Sequence, residues 1–152
     1  MPDPLDFDAT TPRFALPLLF SGQAHKEFFV NEALARLDAA IHPALLGEAS
    51  EPPEGSEDGD AWLVGSDAEG AWASQEGTLA VRQAGQWLFV EPSPGLRVLD
   101  LSTGQFAHFS TAWQKPLPVA EPSGGLMVDS EARVAISALI SALRAAGIFP
   151  SA

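Results

Sequence analysis

Between Asp60 and Trp113 the chain consists of short apolar runs separated by turn residues, and this pattern constrains the fold more than any other feature. Gly, Pro, Ser and Asp interrupt the runs at intervals of about ten residues. Such spacing predicts short antiparallel strands joined by tight turns. We therefore predict one small antiparallel sheet or barrel of five to six strands, drawn from the runs 61–64, 71–73, 78–81, 87–90, 96–99 and 106–109.

All four tryptophans lie in this region. A small sheet needs large apolar side chains to form a core, but an exposed indole can also stack on the apolar face of a sugar ring. Trp72 lies in a weak strand beside Ala and Gly residues, and Trp113 lies at the end of the sheet, so these two are the glycan-binding candidates. Trp62 and Trp87 have more hydrophobic neighbours, which favours the core. Core packing remains the alternative for Trp72 and Trp113.

The segment from Phe14 to Pro43 predicts a helix that begins after Ser21 as N-cap and ends before Pro43. Its apolar residues recur at the spacing of one helical face, which something must cover. This face consists of Phe29, Val30, Ala33, Leu34, Leu37 and Ile41.

A ladder of polar residues lies beside that face. Gln23, Glu27 and Asn31 stand four residues apart, with Phe28 among them. Pairs at this spacing stabilise an isolated helix by only about 0.2–0.5 kcal/mol. We therefore predict that these four residues make a tertiary or subunit contact.

A second helix is predicted over 129–148, capped by Asp129 or Ser130 and stopped by Gly147. Two heptads of apolar residues form a seam along it, and this number is too small to distinguish self-association from packing on the same chain. The seam consists of Ala132, Ile136, Leu139, Leu143 and Ala146. We predict that Ile136, Leu139 and Leu143 belong to an oligomer or partner interface.

These patterns predict an α+β protein with an N-terminal helix, a small sheet and a C-terminal helix. We expect residues 1–13 to form an extended arm that is ordered only when it docks on a neighbour; the alternative is a frayed terminus. The segments are an extended arm (1–13), a helical segment (14–46), an acidic linker (47–59), a Trp- and Gly-rich β domain (60–114), a Pro-rich connector (115–128) and the C-terminal helix (129–148).

The charge of the chain disfavours binding to polyanions. It carries 20 acidic and 8 basic residues, for a net charge of −12, and nine acids lie between Glu48 and Glu76 without any base. This field would repel nucleic acid and anionic lipid. No apolar segment is long enough to span a membrane, so we predict a soluble protein without nucleic-acid or membrane partners.

No pattern of catalytic or cofactor-binding residues stands out. His25, His42 and His108 lack the spacing of metal ligands, and no serine lies in a Gly-x-Ser-x-Gly elbow. Asp58 and Asp60 lie in a loop where solvation explains their charges. The sequence therefore predicts a protein that is not an enzyme, with no catalytic residue, cofactor or metal site.

Several motifs resemble an uncharacterised domain family found in alphaproteobacterial prophages and gene transfer agents. They are Gly22-Gln23-Ala24-His25-Lys26-Glu27, Asn31-Glu32-Ala33-Leu34, Asp60-Ala61-Trp62-Leu63-Val64-Gly65 and Gly85-Gln86-Trp87-Leu88-Phe89. The resemblance covers roughly residues 14–113, with departures at His25 and at Val81-Arg82-Gln83, where the family usually has a Gln and a Trp.

The resemblance implies a virion component in tail-fibre-like proteins or in head spikes that engage capsular polysaccharide. From it we expect a homo-oligomeric base or adaptor, a trimer or a pentamer, that contacts capsid or fibre proteins and is assembled in the bacterial cytoplasm. The alternative is a carbohydrate-binding module that contacts surface polysaccharide directly through Trp72 and Trp113.

Overall fold

The computed structural model describes residues 9–22, 24–125 and 129–151. This part of the chain contains two α-helices and eight strands, and the strands form two four-stranded sheets. In chain order these are α1 (Lys26–Ala40), β1 (Ala44–Leu45), β2 (Glu48–Ala49), β3 (Ala61–Val64), β4 (Leu79–Gln83), β5 (Gln86–Val90), β6 (Arg97–Asp100), β7 (Gln105–Phe109), β8 (Trp113–Gln114) and α2 (Ser130–Ala145). The α+β class is confirmed, whereas the single sheet of five to six strands and the barrel are wrong.

Five of the six predicted runs are strands, namely β3 to β7. The sixth, 71–73, falls instead at a single 3-10 turn, Gly70–Trp72. Gly70 has a φ of +60°, which glycine adopts without steric cost and which ends any extended run there. The strands β1, β2 and β8 have two residues each, too few to show the alternation from which strands are predicted.

The short segment that contains β1 and β2 connects the two sheets. One sheet has the order β1-β6-β7-β8 and the other β2-β3-β4-β5, so these consecutive strands join different sheets. Each pairs in parallel with its neighbour, whereas all other pairs are antiparallel as predicted. Between them, the amide of Leu46 donates to the Ala61 carbonyl at 2.8 Å, and the Gly47 carbonyl accepts from the Leu63 amide at 2.9 Å.

Alternation along the strands divides the apolar side chains between two clusters. Leu63, Leu79 and Val81 join Val98 and Ala107 of the other sheet in the main core, to which α1 adds Ala39. The main core therefore lies between the sheets and α1. The opposite side chains of β3 and β4 form a second cluster with the 3-10 turn, made of Val64, Trp72 and Ala80 with Trp62, Trp87 and Phe89 at its edge.

Helix α1 begins at Lys26 and not after Ser21. The residue before it, His25, has a φ of 64° and gives no side-chain cap, so the predicted N-cap is wrong. The helix buries Ala35, Asp38 and Ala39, a side with small residues that permit a close approach to the sheets.

Asp38 anchors the N-terminal residues to α1. Its carboxylate is almost fully buried and accepts hydrogen bonds from the Thr11 hydroxyl at 2.6 Å, the Phe14 amide at 2.7 Å and the Arg13 amide at 3.1 Å. The Arg13 guanidinium donates to the backbone carbonyls of Asp38 and His42 at 2.6 and 2.8 Å. Residues 9–13 of the predicted arm are therefore held on their own helix, while residues 1–8 lie outside the described part.

Helix α2 has the predicted ends and is attached mainly at its C-terminus. The Asp129 carboxylate caps it by accepting from the Ala132 amide at 3.0 Å. After the helix, Gly147 has a φ of +68°, and its carbonyl accepts from the Phe106 amide at 2.6 Å. A Cβ at Gly147 would lie 2.9 Å from the Phe106 ring, so this close approach requires glycine.

Asp100 forms a buried ion pair that should make the stability depend on acid pH. Lys115 Nζ lies 2.6 Å from its carboxylate, and Ser102 donates to the carboxylate from both its amide and its hydroxyl. Burial raises the pKa of Asp100, but the hydrogen bonds from Lys115 and Ser102 and the charge of Lys115 outweigh this effect, so the pKa is lowered overall.

A lowered folded-state pKa stabilises the fold above the unfolded-state pKa, and this contribution is lost as pH falls through the folded-state value. At pH 7 we expect Asp100→Asn to lower the free energy of unfolding by roughly 1.5–3 kcal/mol. The difference from the wild type should shrink below about pH 4. Urea denaturation of both proteins across this range measures it, and a pH-independent difference would contradict the role of the carboxylate charge.

Candidate functional surfaces

Helix α1 carries large apolar side chains on the side opposite its buried residues. We define the α1 apolar face as Phe29, Val30, Ala33, Leu37 and Ile41. Successive residues of a helix are about 100° apart, which places these residues opposite Ala35, Asp38 and Ala39. Phe29 is 79% exposed and Leu37 52% exposed, whereas Leu34, which we had placed on the same face, is half-buried. The described part of the chain therefore leaves uncovered most of the face that we expected to be buried.

The polar ladder beside it binds the preceding loop of the same chain. Asn31 accepts from the Leu19 amide at 2.8 Å and donates to the Leu19 carbonyl at 3.0 Å. Glu27 is buried and accepts from the Gly22 amide at 3.2 Å. The tertiary contact predicted for these residues is thus an intrachain one, whereas Phe28 is exposed and Gln23 lies outside the described residues.

The α2 seam is also largely exposed. Ile136 and Leu139 are exposed and Leu143 is half-buried, while Ile140, next to the seam, is the buried residue of the helix. On the same side as Ile140, Arg133 donates to the Pro122 carbonyl at 3.1 Å and Ser137 to Glu121 at 3.3 Å. The Pro-rich connector therefore packs along the side of α2 next to the seam.

Trp72 cannot offer its ring to a sugar in this structure. It is 0% exposed and contacts the edge of Trp87, with ring centroids 5.0 Å apart. The expectation that Trp72 is an exposed platform is wrong, because the 3-10 turn points the indole into the second cluster. A weak strand with small flanking residues had suggested exposure, but it is these small residues, Gly70, Ala71 and Ala73, that are exposed, while the indole is buried.

Trp113 borders an open cleft of about 500 Å³ between the ends of the two sheets. Its ring packs against Phe109 at 5.4 Å, and its N–H donates to the Gly77 carbonyl at 2.8 Å, which fixes the indole. We call this space the Trp113 cleft. Polar side chains line its rim, namely Glu48, Ser66, Glu76 and Thr111.

A second cleft was not predicted from the sequence. We call the space of about 400 Å³ between α1 and the β4–β5 turn the hairpin cleft. Phe28, Asn31 and Glu32 of α1 line one wall, and Gln86 and Trp87 of β5 line the other. The residues that line this cleft lie on a helix and on a hairpin that are far apart in sequence. They come together only after folding, so no sequence motif indicated the cleft.

Among the described residues, no group of three His, Cys, Asp or Glu side chains is arranged to hold a metal ion. The two described helices are also too short or too polar to cross a lipid bilayer. Within this part of the chain, the candidate functional surfaces are therefore the exposed apolar faces of the two helices and the clefts.

The fold and these surfaces define a small α+β domain with two exposed apolar helix surfaces. Residues 30–114, more than half of the 152 residues, match the family described as "Protein of unknown function (DUF2793)". The chain therefore belongs to the DUF2793 family. No curated protein shows a significant match to it.

Proposed function

We propose that this chain is a structural component of a phage-like particle such as a gene transfer agent. In this role it is the base or adaptor of a head spike or tail fibre and helps attachment to the host cell surface. Three or five copies associate through their helices and contact other virion proteins, such as the capsid or the fibre. The particle context rests on the sequence motifs that resemble prophage and gene-transfer-agent proteins.

The α1 apolar face is the observation that carries the oligomeric part of the proposal. The opposite side of α1 already packs on the sheets, so an exposed row of large apolar residues contributes nothing to the fold of one chain. Contiguous apolar patches of this kind mark interaction sites in proteins that are stable in water. The α2 seam adds a second surface, since a helix of this length is marginal in water without packing.

Light scattering tests the assembly. We expect the wild type to have three or five times the 16.0 kDa mass of one chain. Leu37→Glu and Leu139→Glu should each weaken association at least about tenfold, which corresponds to about 1.4 kcal/mol. A charge in an apolar interface would lose its hydration without gaining a partner.

Matched controls separate the interface from general effects of a new charge. Leu101, in the β6–β7 turn, is 52% exposed like Leu37, and Val134 lies on the other side of α2 from Leu139. Leu101→Glu and Val134→Glu should leave the mass unchanged. A wild type that stays monomeric at high concentration and is absent from purified particles would overturn the proposal.

The second candidate function is direct binding of surface polysaccharide. The Trp113 cleft favours it, because a fixed indole and Phe109 lie beside the carboxylates and hydroxyls of the rim. Binding to bacterial polysaccharides, measured by calorimetry, should be lost in Trp113→Ala and retained in Trp87→Ala, which alters the hairpin cleft. Circular dichroism checks that both variants fold, and absence of binding by the wild type would remove this candidate.

A further inference from the structure

The outer face of the β1-β6-β7-β8 sheet has a cleft with basic groups and no acidic ones. Its lining residues include His42, Pro43, Arg97, Leu99 and Phe106, around a volume of about 410 Å³. We call it the Arg97 cleft. By contrast, the hairpin cleft contains Glu32, and the Trp113 cleft contains Glu48 and Glu76. On a chain of net charge −12, a cleft whose charged lining residue is an arginine, with no carboxylate beside it, favours an anionic ligand.

The guanidinium of Arg97 is positioned for such a ligand. It lies over the Phe106 ring, 5.1 Å from its centroid, which limits the conformations of a long side chain. The ion pairs in the described part of the chain join Arg36 to Glu32 and Lys115 to Asp100, so Arg97 has no carboxylate partner there. Its N–H groups remain available for the bidentate geometry that arginine forms with carboxylates.

The same chain carries a segment with the complementary charge. We define the acidic loop as residues 51–58, in which Glu51, Glu54 and Glu57 are exposed. None of these three carboxylates has an ion pair or a side-chain hydrogen bond within the described residues. The acidic loop belongs to the stretch between Glu48 and Glu76 that has nine acids and no base.

We propose that the Arg97 cleft of one copy binds the acidic loop of the neighbouring copy. This inference rests on the proposed oligomer and adds the contact that orients its subunits. Phe106 contacts Gly147 just after α2, so the cleft lies near the C-terminal end of α2. The seam of this helix is one of the surfaces through which we propose that copies associate. Because the cleft and the loop are different surfaces, each copy contributes a cleft to one neighbour and a loop to the other. Such head-to-tail contacts close into a ring when the rotation between successive copies is a whole fraction of a full turn.

Charge reversal tests the contact in the full chain. Arg97→Glu should raise the dissociation constant of the oligomer at least tenfold, measured by sedimentation equilibrium. Joint replacement of Glu51, Glu54 and Glu57 by Lys should weaken assembly similarly, and its combination with Arg97→Glu should restore part of the affinity. The matched control is Arg97→Lys, which keeps the positive charge in the cleft and should retain most of the affinity.

Cross-linking identifies the occupant. In mixed oligomers of ¹⁴N- and ¹⁵N-labelled Arg97→Lys, a zero-length carbodiimide should join position 97 to a glutamate of the acidic loop in peptides with both labels. A monomeric wild type would refute the proposed oligomer itself. An oligomer that forms normally in Arg97→Glu, or whose position 97 links only within one chain or to another protein, would overturn this inference and leave the oligomer standing.

Discussion

Trp72→Ala is expected to destabilise the protein by about 3–5 kcal/mol, the loss typical of a large aromatic side chain removed from a core. Trp72 is completely buried and connects the 3-10 turn to Trp87, Val64 and Ala80. The cavity would lie under a turn that has few other apolar contacts. Urea denaturation followed by tryptophan fluorescence and circular dichroism measures the change.

Trp72→Phe is the matched control. The indole N–H of Trp72 has no hydrogen-bond partner among the described residues, so phenylalanine removes an unpaired donor while keeping most of the ring volume. We expect a loss of only about 1 kcal/mol. Equal losses in the two variants would show that ring volume is not what the site requires. Because Trp72→Ala perturbs the fold, any test of glycan binding must use Trp113.

Asp38→Ala is expected to lower the free energy of unfolding by about 2–4 kcal/mol, because it leaves three donors without their acceptor. These donors are the Thr11 hydroxyl and the amides of Arg13 and Phe14, so the same change should loosen residues 11–14 from α1. Limited proteolysis near Arg13 should accelerate along with the loss of stability in urea.

Two variants calibrate this result. Asp38→Asn keeps the shape of the side chain and one acceptor oxygen, so its loss should be intermediate. Glu32→Ala on the same helix removes an exposed ion pair with Arg36, which is worth about 0.5 kcal/mol or less. If Asp38→Ala behaved like Glu32→Ala, the buried carboxylate would not be what holds the N-terminal segment.

The five strands β3 to β7 were predictable because each is bounded by turn residues and has an apolar run of its own. The division into two sheets was not, since it depends on β1 and β2, which are too short to show periodicity. The same pattern could not distinguish a strand from a 3-10 turn at 71–73, where the φ of Gly70 decides.

For α1, periodicity identified the apolar face but not the face that packs within the chain. That side combines two alanines with Asp38, which is buried only because residues 11–14 supply its hydrogen bonds. A carboxylate in a helix normally indicates a solvent-exposed position, so the burial of Asp38 could not be predicted from its residue type. The Arg97 cleft was missed for a similar reason, because β6 and β7 bring Arg97 and Phe106 together only after pairing.

Because β1 and β2 belong to different sheets, the two sheets should form one after the other while the chain is being synthesised on the ribosome. The strands from β2 to β5 follow one another along residues 48–90, so their sheet requires only nearby partners. Ala44, in contrast, pairs with Leu99, and such distant contacts form late. We expect nascent chains that end after Val90 to hold one sheet whose inner apolar side is covered only by α1, until β6 to β8 add the second sheet.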